Sequence, residues 1–206
     1  IQDISSSYAH PLVLLFLGGF IIASAMESCG LHKRIAINIL SFSGTSPAMI
    51  VAGFMITTAL ISMWVSNTAS TIMMLPIATS VIAIFSNQKQ SKENDLTIPL
   101  LLAIAYSASI GGIATLIGTP TNVMLASILS DNYNYNIGFF DWFKIGFPIT
   151  LILLPVVWFF LTNIIFKLSK NKSNALQVTI SGLKKDIGKS SFAEKIVAIV
   201  FLLTAL

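Results

Sequence analysis

Charge is missing from most of this 206-residue chain. No Asp, Glu, Lys or Arg occurs in residues 35–88, 96–130 or 145–166, and each run is long enough as helix to cross a hydrocarbon core about 30 Å thick. With 55% hydrophobic and only 10% charged residues and a mean hydropathy of +0.85, a water-facing surface is excluded for most of the chain. Three such runs are also too many for a secretory leader. Cysteine is nearly absent, and Cys29 alone permits neither an intramolecular disulfide nor a cysteine zinc site. The two histidines, His10 and His32, only flank the first apolar segment. The net charge of +4 comes from short basic clusters at the ends of apolar runs rather than from one basic face. Nucleic acid is therefore excluded as a partner, and the clusters read as topology signals.

What is present is apolar helix with punctuation. Residues 1–46 are expected to hold a first transmembrane helix and then an interfacial helix. In the latter, Leu31, Ile35, Ile39 and Phe42 recur at helical spacing between polar residues. Residues 47–88 are apolar but for a short polar run at 65–69, which leaves two arms of about 18 residues, roughly 27 Å each as helix. Residues 96–130 form a further apolar region, broken at 118–122, and 142–168 another. A Lys-rich cytoplasmic linker at 169–191 leads to the start of a next helix at 192–206. Cytoplasmic loops carry excess Lys and Arg. That rule puts Lys33, Arg34, Lys89, Lys92, Lys167, Lys170, Lys172, Lys184, Lys185 and Lys189 on one side, and 131–141, without Lys or Arg, on the other. Charge alone leaves open whether 47–85 crosses twice or dips in and returns. Glu27 and Cys29 read as interfacial or packing residues, and Trp142 and Trp158 are expected to include an interfacial anchor.

The two breaks carry the chemistry. In hydrocarbon every backbone N–H and C=O needs a partner, so a helix stops at membrane depth only where protein or a water-filled cavity receives the freed groups. A helix end with carbonyls set against a helix start with amides suits a cation and an anion together. At the first break Ser62 would add a hydroxyl one turn before Ser66, a hard oxygen ligand for a small cation. Ser66, Asn67 and Thr68 are favoured N-cap residues that hold amides open toward an anion. At the second, Gly111, Gly112 and Gly118 allow close backbone approach, Thr119 can cap, Pro120 suits the first helical position, and Thr121 and Asn122 add neutral oxygens. No Asp, Glu, His, Lys or Arg lies within the three long runs, which favours sodium over protons as the coupling ion. The same Ser, Thr and Asn residues would serve equally to tie neighbouring helices together. A channel would need a continuous polar lining and an enzyme an acid, base or metal cluster, so a carrier fits these local breaks best.

Ser-Met-Trp-Val-Ser-Asn-Thr-Ala-Ser at 62–70, Met-Met-Leu-Pro-Ile at 73–77 and Ser-Ile-Gly-Gly-Ile-Ala-Thr-Leu-Ile-Gly-Thr-Pro-Thr-Asn at 109–122 resemble the divalent anion:sodium symporter family. Leu-His-Lys-Arg-Ile-Ala at 31–36 and Phe-Asp-Trp-Phe-Lys-Ile-Gly at 140–146 extend the resemblance over nearly the whole chain. It implies an all-α membrane protein, the N-terminal half of an inverted-repeat secondary transporter, with a re-entrant helical hairpin (47–88) and a broken transmembrane helix (96–130). The second Ser-Asn-Thr of the family pattern is missing, so the chain reads as a fragment. By resemblance, Ser62, Ser66, Asn67 and Gly118 would surround a sodium ion, while Asn67, Thr68, Thr119 and Pro120 would lie near a substrate carboxylate. The implied carrier is a multi-pass, homodimeric protein of the cytoplasmic membrane, not an enzyme. It would couple sodium to a small anionic substrate, C4-dicarboxylates (succinate, malate, fumarate) first and sulfate, citrate or dicarboxylate exchange as alternatives.

Overall fold

A computed structural model describes residues 11–44, 46–87, 96–168, 181–182, 184–185 and 187–205. Lys89, Lys92, Lys170, Lys172, His10 and most of the 169–191 linker lie outside them. Among the described residues the chain is helical with no strand, in the order α1 (Pro11–Ser28), α2 (Leu31–Phe42), α3 (Pro47–Ser62), α4 (Asn67–Asn87), α5 (Thr97–Ile113), α6 (Pro120–Tyr133), α7 (Phe139–Phe159) and α8 (Phe192–Ala205). Helix α7 continues as a π-helical turn, Phe160–Ile165.

Burial ranks the helices. Twelve of the 16 residues of α3 are buried, and it packs most extensively on α5. Gly111 of α5 makes this approach close, since a Cβ there would collide with the Ala59 backbone of α3. Helix α7 is the opposite case, because only Gly146 and Thr150 are buried while Ile145 and Ile152 are 68% and 66% exposed. An apolar outer wall of this kind is stable against lipid tails and not against water. Phe139–Ile165 spans 27 residues and is the one helix among the described residues long and apolar enough to cross a membrane. Helices α3 and α5, of 16 and 17 residues, reach only roughly 24–26 Å.

Helix α2 covers the residues whose spacing pointed to a short helix. Its protein-facing residues are Leu31, His32, Ala36, Ile37 and Leu40, whereas Phe42 is 86% exposed. Ile35 packs against the core and Ile39 is partly buried, so of the Ile35–Ile39–Phe42 stripe only Phe42 is fully left for the surroundings, while Leu40 packs beside Gly53 of α3. Gly30 makes the turn into α2 at φ 78, a conformation that costs glycine nothing.

Arg34 joins α2 to the start of α8. Its Nε donates to Glu194 Oε2 at 2.9 Å, its Nη1 to the Gly188 carbonyl at 2.9 Å, and its Nη2 to the Ile187 and Lys189 carbonyls at 3.2 and 3.1 Å. Glu194 also accepts from the Ser191 N–H, while Ser191 Oγ accepts from the Glu194 N–H. This reciprocal pair is a capping box that starts α8.

Candidate functional site

Both breaks lie slightly N-terminal of where the polar residues suggest. The first covers residues 63–66, since Asn67 already opens α4, and the second covers 114–119, since Pro120 opens α6. The reason is the same in each. A capping residue or a proline at the first position starts a helix, so the residues after it belong to the first turn and not to the gap.

At the first break Ser66 occupies the cap, its Oγ accepting from the Ala69 N–H at 3.3 Å. Ser62, fully buried at the end of α3, places Oγ 2.7 Å from Asn67 Oδ1 and 2.7 Å from the Ala108 carbonyl of α5. A hydroxyl has one proton and can satisfy one of these acceptors at a time. Three oxygens therefore meet with a single proton among them. Gly112 closes the other side of Asn67, and a Cβ there would collide with Oδ1.

At the second break the carbonyls released by the last turn of α5 each have a named donor. Ile110 O accepts from Thr150 Oγ1 at 3.0 Å, Gly111 O from the Ala114 N–H at 3.0 Å, Gly112 O from Asn122 Nδ2 at 2.8 Å and Ile113 O from Trp142 Nε1 at 2.9 Å. Asn122 Nδ2 also donates to Thr115 O at 2.8 Å. Both partners of this amide are carbonyls, so its nitrogen faces them. The expected contribution of Asn122 as an oxygen is thus replaced by one as a donor. Thr115 Oγ1 in turn donates to the Met63 carbonyl, which ties one break to the other. Gly118 fits because its α-carbon presses on Gly112, where a Cβ would lie 2.6 Å from the carbonyl oxygen.

Ser62, Asn67, Gly112 and Gly118 thus form one chain of contacts. Ser66 stands at its edge with its hydroxyl spent on the cap. Thr68 is exposed and stands outside the chain, as does Pro120 at the exposed start of α6. Thr119 sits at the N-cap position of α6 without a side-chain cap, its hydroxyl instead 3.3 Å from Thr121 Oγ1. Trp142 and Trp158, expected to include an interfacial anchor, donate their indole N–H groups to carbonyls inside the protein, Ile113 O and Ala48 O. Sequence reasoning missed Ala108 O, Thr115 and Thr150. For Asn122 the signal was available: it is the third residue of α6, and side chains there reach back across the helix start.

A cavity of about 430 Å³ opens beside both breaks, lined by Gly18, Gly19, Trp64, Ile117, Phe139 and Phe201 among others. Its walls are apolar and suit a hydrocarbon chain, not a carboxylate. The polar chemistry lies in the contact chain instead.

Interrupted helices whose ends carry free carbonyls and amides are a feature that secondary transporters use. The chain belongs to the citrate transporter family, whose profile matches residues 1–206. It is 36% identical over 210 residues to the sodium-dependent dicarboxylate transporter SdcS of Staphylococcus aureus strain USA300, covering 100% of this chain and 40% of that protein. The same transporter of strain NCTC 8325 is 35% identical over the same shares. The chain thus spans 40% of the length of these curated relatives. That family is one of transporters, not of enzymes.

Proposed function

We propose that this chain supplies half of the binding site of a sodium-coupled carrier for divalent anions, C4-dicarboxylates such as succinate, malate and fumarate first. In this reading 47–88 is a re-entrant hairpin and 96–130 a broken transmembrane helix within a multi-pass, homodimeric protein of the cytoplasmic membrane. The observation that carries it is the trio Ser62 Oγ, Asn67 Oδ1 and Ala108 O, with one proton for two contacts of 2.7 Å. A sodium ion would complete such a set, with Ser66 and Gly118 at its margin. Without the ion, a half-turn of the Asn67 amide would present Nδ2 to Ser62 and close a donor chain Asn67→Ser62→Ala108. Ion binding would then fix the amide with its N–H groups turned toward a carboxylate near Thr68, Thr119 and Pro120. The sodium-dependent, dicarboxylate-transporting relatives support this reading, and the citrate family description supports citrate as the alternative anion.

Asn67→Ala in the full-length carrier is expected to weaken sodium and dicarboxylate together, on the order of tenfold each, since the two affinities are linked. Asn67→Asp, with oxygen on both faces, should retain sodium and lose the anion. The measurement is dicarboxylate binding across a sodium titration on purified protein, with uptake of labelled succinate, citrate and sulfate into liposomes. Unchanged sodium dependence in Asn67→Ala would reduce Asn67 to a tie between helices and defeat the mechanism.

A further inference from the structure

The start of α7 touches both breaks. Phe139 lies against Trp64 of the first, ring centroids 6.0 Å apart, and Trp142 donates to Ile113 O at the entrance of the second. One turn on, Gly146 lets α7 close on the same place: a Cβ there would collide with Ile113 O and lie 3.1 Å from both Ala114 O and the Trp142 indole nitrogen. Ile113 is the last helical residue of α5, and the six residues after it carry Thr115, bonded to Met63 O, and Gly118, packed on Gly112. Gly112 in turn backs Asn67 Oδ1. The indole bond therefore fixes the point at which α5 unwinds, and the direction of the chain from that point sets the oxygen group around Asn67.

We propose that Trp142 is a positioning residue for the sodium site: with Gly146 it forms a clasp on Ile113 O that holds the unwound segment against Asn67. The proposal rests on the carrier reading above. Helix α7 carries a natural control, because Trp158 makes an equivalent indole bond, 2.8 Å to Ala48 O, at the far end of α3 from both breaks.

The test is sodium-dependent dicarboxylate binding by the full-length protein carrying Trp142→Phe or Trp158→Phe, with unfolding temperature measured on each. Both variants lose one neutral hydrogen bond and keep an aromatic ring. Trp142→Phe is expected to raise the half-saturating sodium concentration about 3- to 10-fold, the scale of one such bond, whereas Trp158→Phe lowers the unfolding temperature and leaves sodium dependence in place. Gly146→Ala, which keeps the donor but forces α7 off the carbonyl, is expected to act as Trp142→Phe does and decides the matter if that variant fails to fold. Equal sodium dependence in the two tryptophan variants overturns the clasp and leaves the carrier reading standing. Sodium-independent binding by the unmodified protein overturns both.

Discussion

The two breaks solve one problem in different ways. The first spans four residues and is held largely by its own neighbours: Ser66 caps the helix it precedes, the Trp64 and Val65 N–H groups return to Ile61 O, and Ser62 reaches Asn67 five residues on. The second spans six residues and, beyond the Ala114 N–H on Gly111 O, takes its donors from other helices, namely Asn122 of α6 and Trp142 and Thr150 of α7. A locally satisfied break can keep its form while its surroundings change. A break satisfied from outside has the form its neighbours impose, so a movement of α7 is felt at once by the α5 carbonyls. The contrast is one of degree: the first break takes Thr115 Oγ1 and the Ala108 carbonyl as its outside partners, whereas the second leans on α7 for two of its donors.

Three substitutions would sharpen or break this contrast. The largest effect is expected for Asn122→Leu, which leaves Gly112 O and Thr115 O buried without their shared donor and should cost about 2–4 kcal/mol. Denaturant unfolding in detergent is the measurement, and a loss below that of a single cap would mean that the second break is not held from outside. Ser66→Ala, by the same measurement, should cost about 1 kcal/mol, the usual scale of an N-cap. A much larger loss would show that the first break also depends on distant partners. The smallest stability effect belongs to Thr119→Ala, expected within about 0.5 kcal/mol because its hydroxyl does not cap α6, while dicarboxylate binding weakens a few-fold. A stability loss equal to that of Ser66→Ala would show that the hydroxyl does cap.

The residues that interrupt the helices were legible because their chemistry is local. Ser-Asn-Thr and Gly-Thr-Pro announce helix starts whatever surrounds them, and the long uncharged runs announce helix in an apolar solvent. The cap at Ser66, proline at the first position of α6 and close approach at Gly111, Gly112 and Gly118 follow from those residues alone. The donors to the α5 carbonyls were not legible, since nothing in a threonine at 150 or a tryptophan at 142 says which carbonyl, some 30 to 40 residues earlier, it will meet. Tryptophan in a membrane segment reads as an interfacial anchor by frequency, and only packing reveals the indole bonds made inside. Which residues of α2 meet the protein was not legible for a related reason: a helix with apolar residues on two sides does not say which side the protein takes.

The Arg34 bonds have a consequence in time. The guanidinium is made 160 residues before Glu194, and at a ribosomal rate of about 5–20 residues per second that separation is roughly 8–32 s. Throughout that delay its partners do not exist, so the side chain must find other partners, water among them, while the intervening helices are made. Docking of α2 on the start of α8 is thus a contact that can form only late relative to those within residues 31–168. The nascent protein is sealed at that point only after every intervening helix has been synthesised.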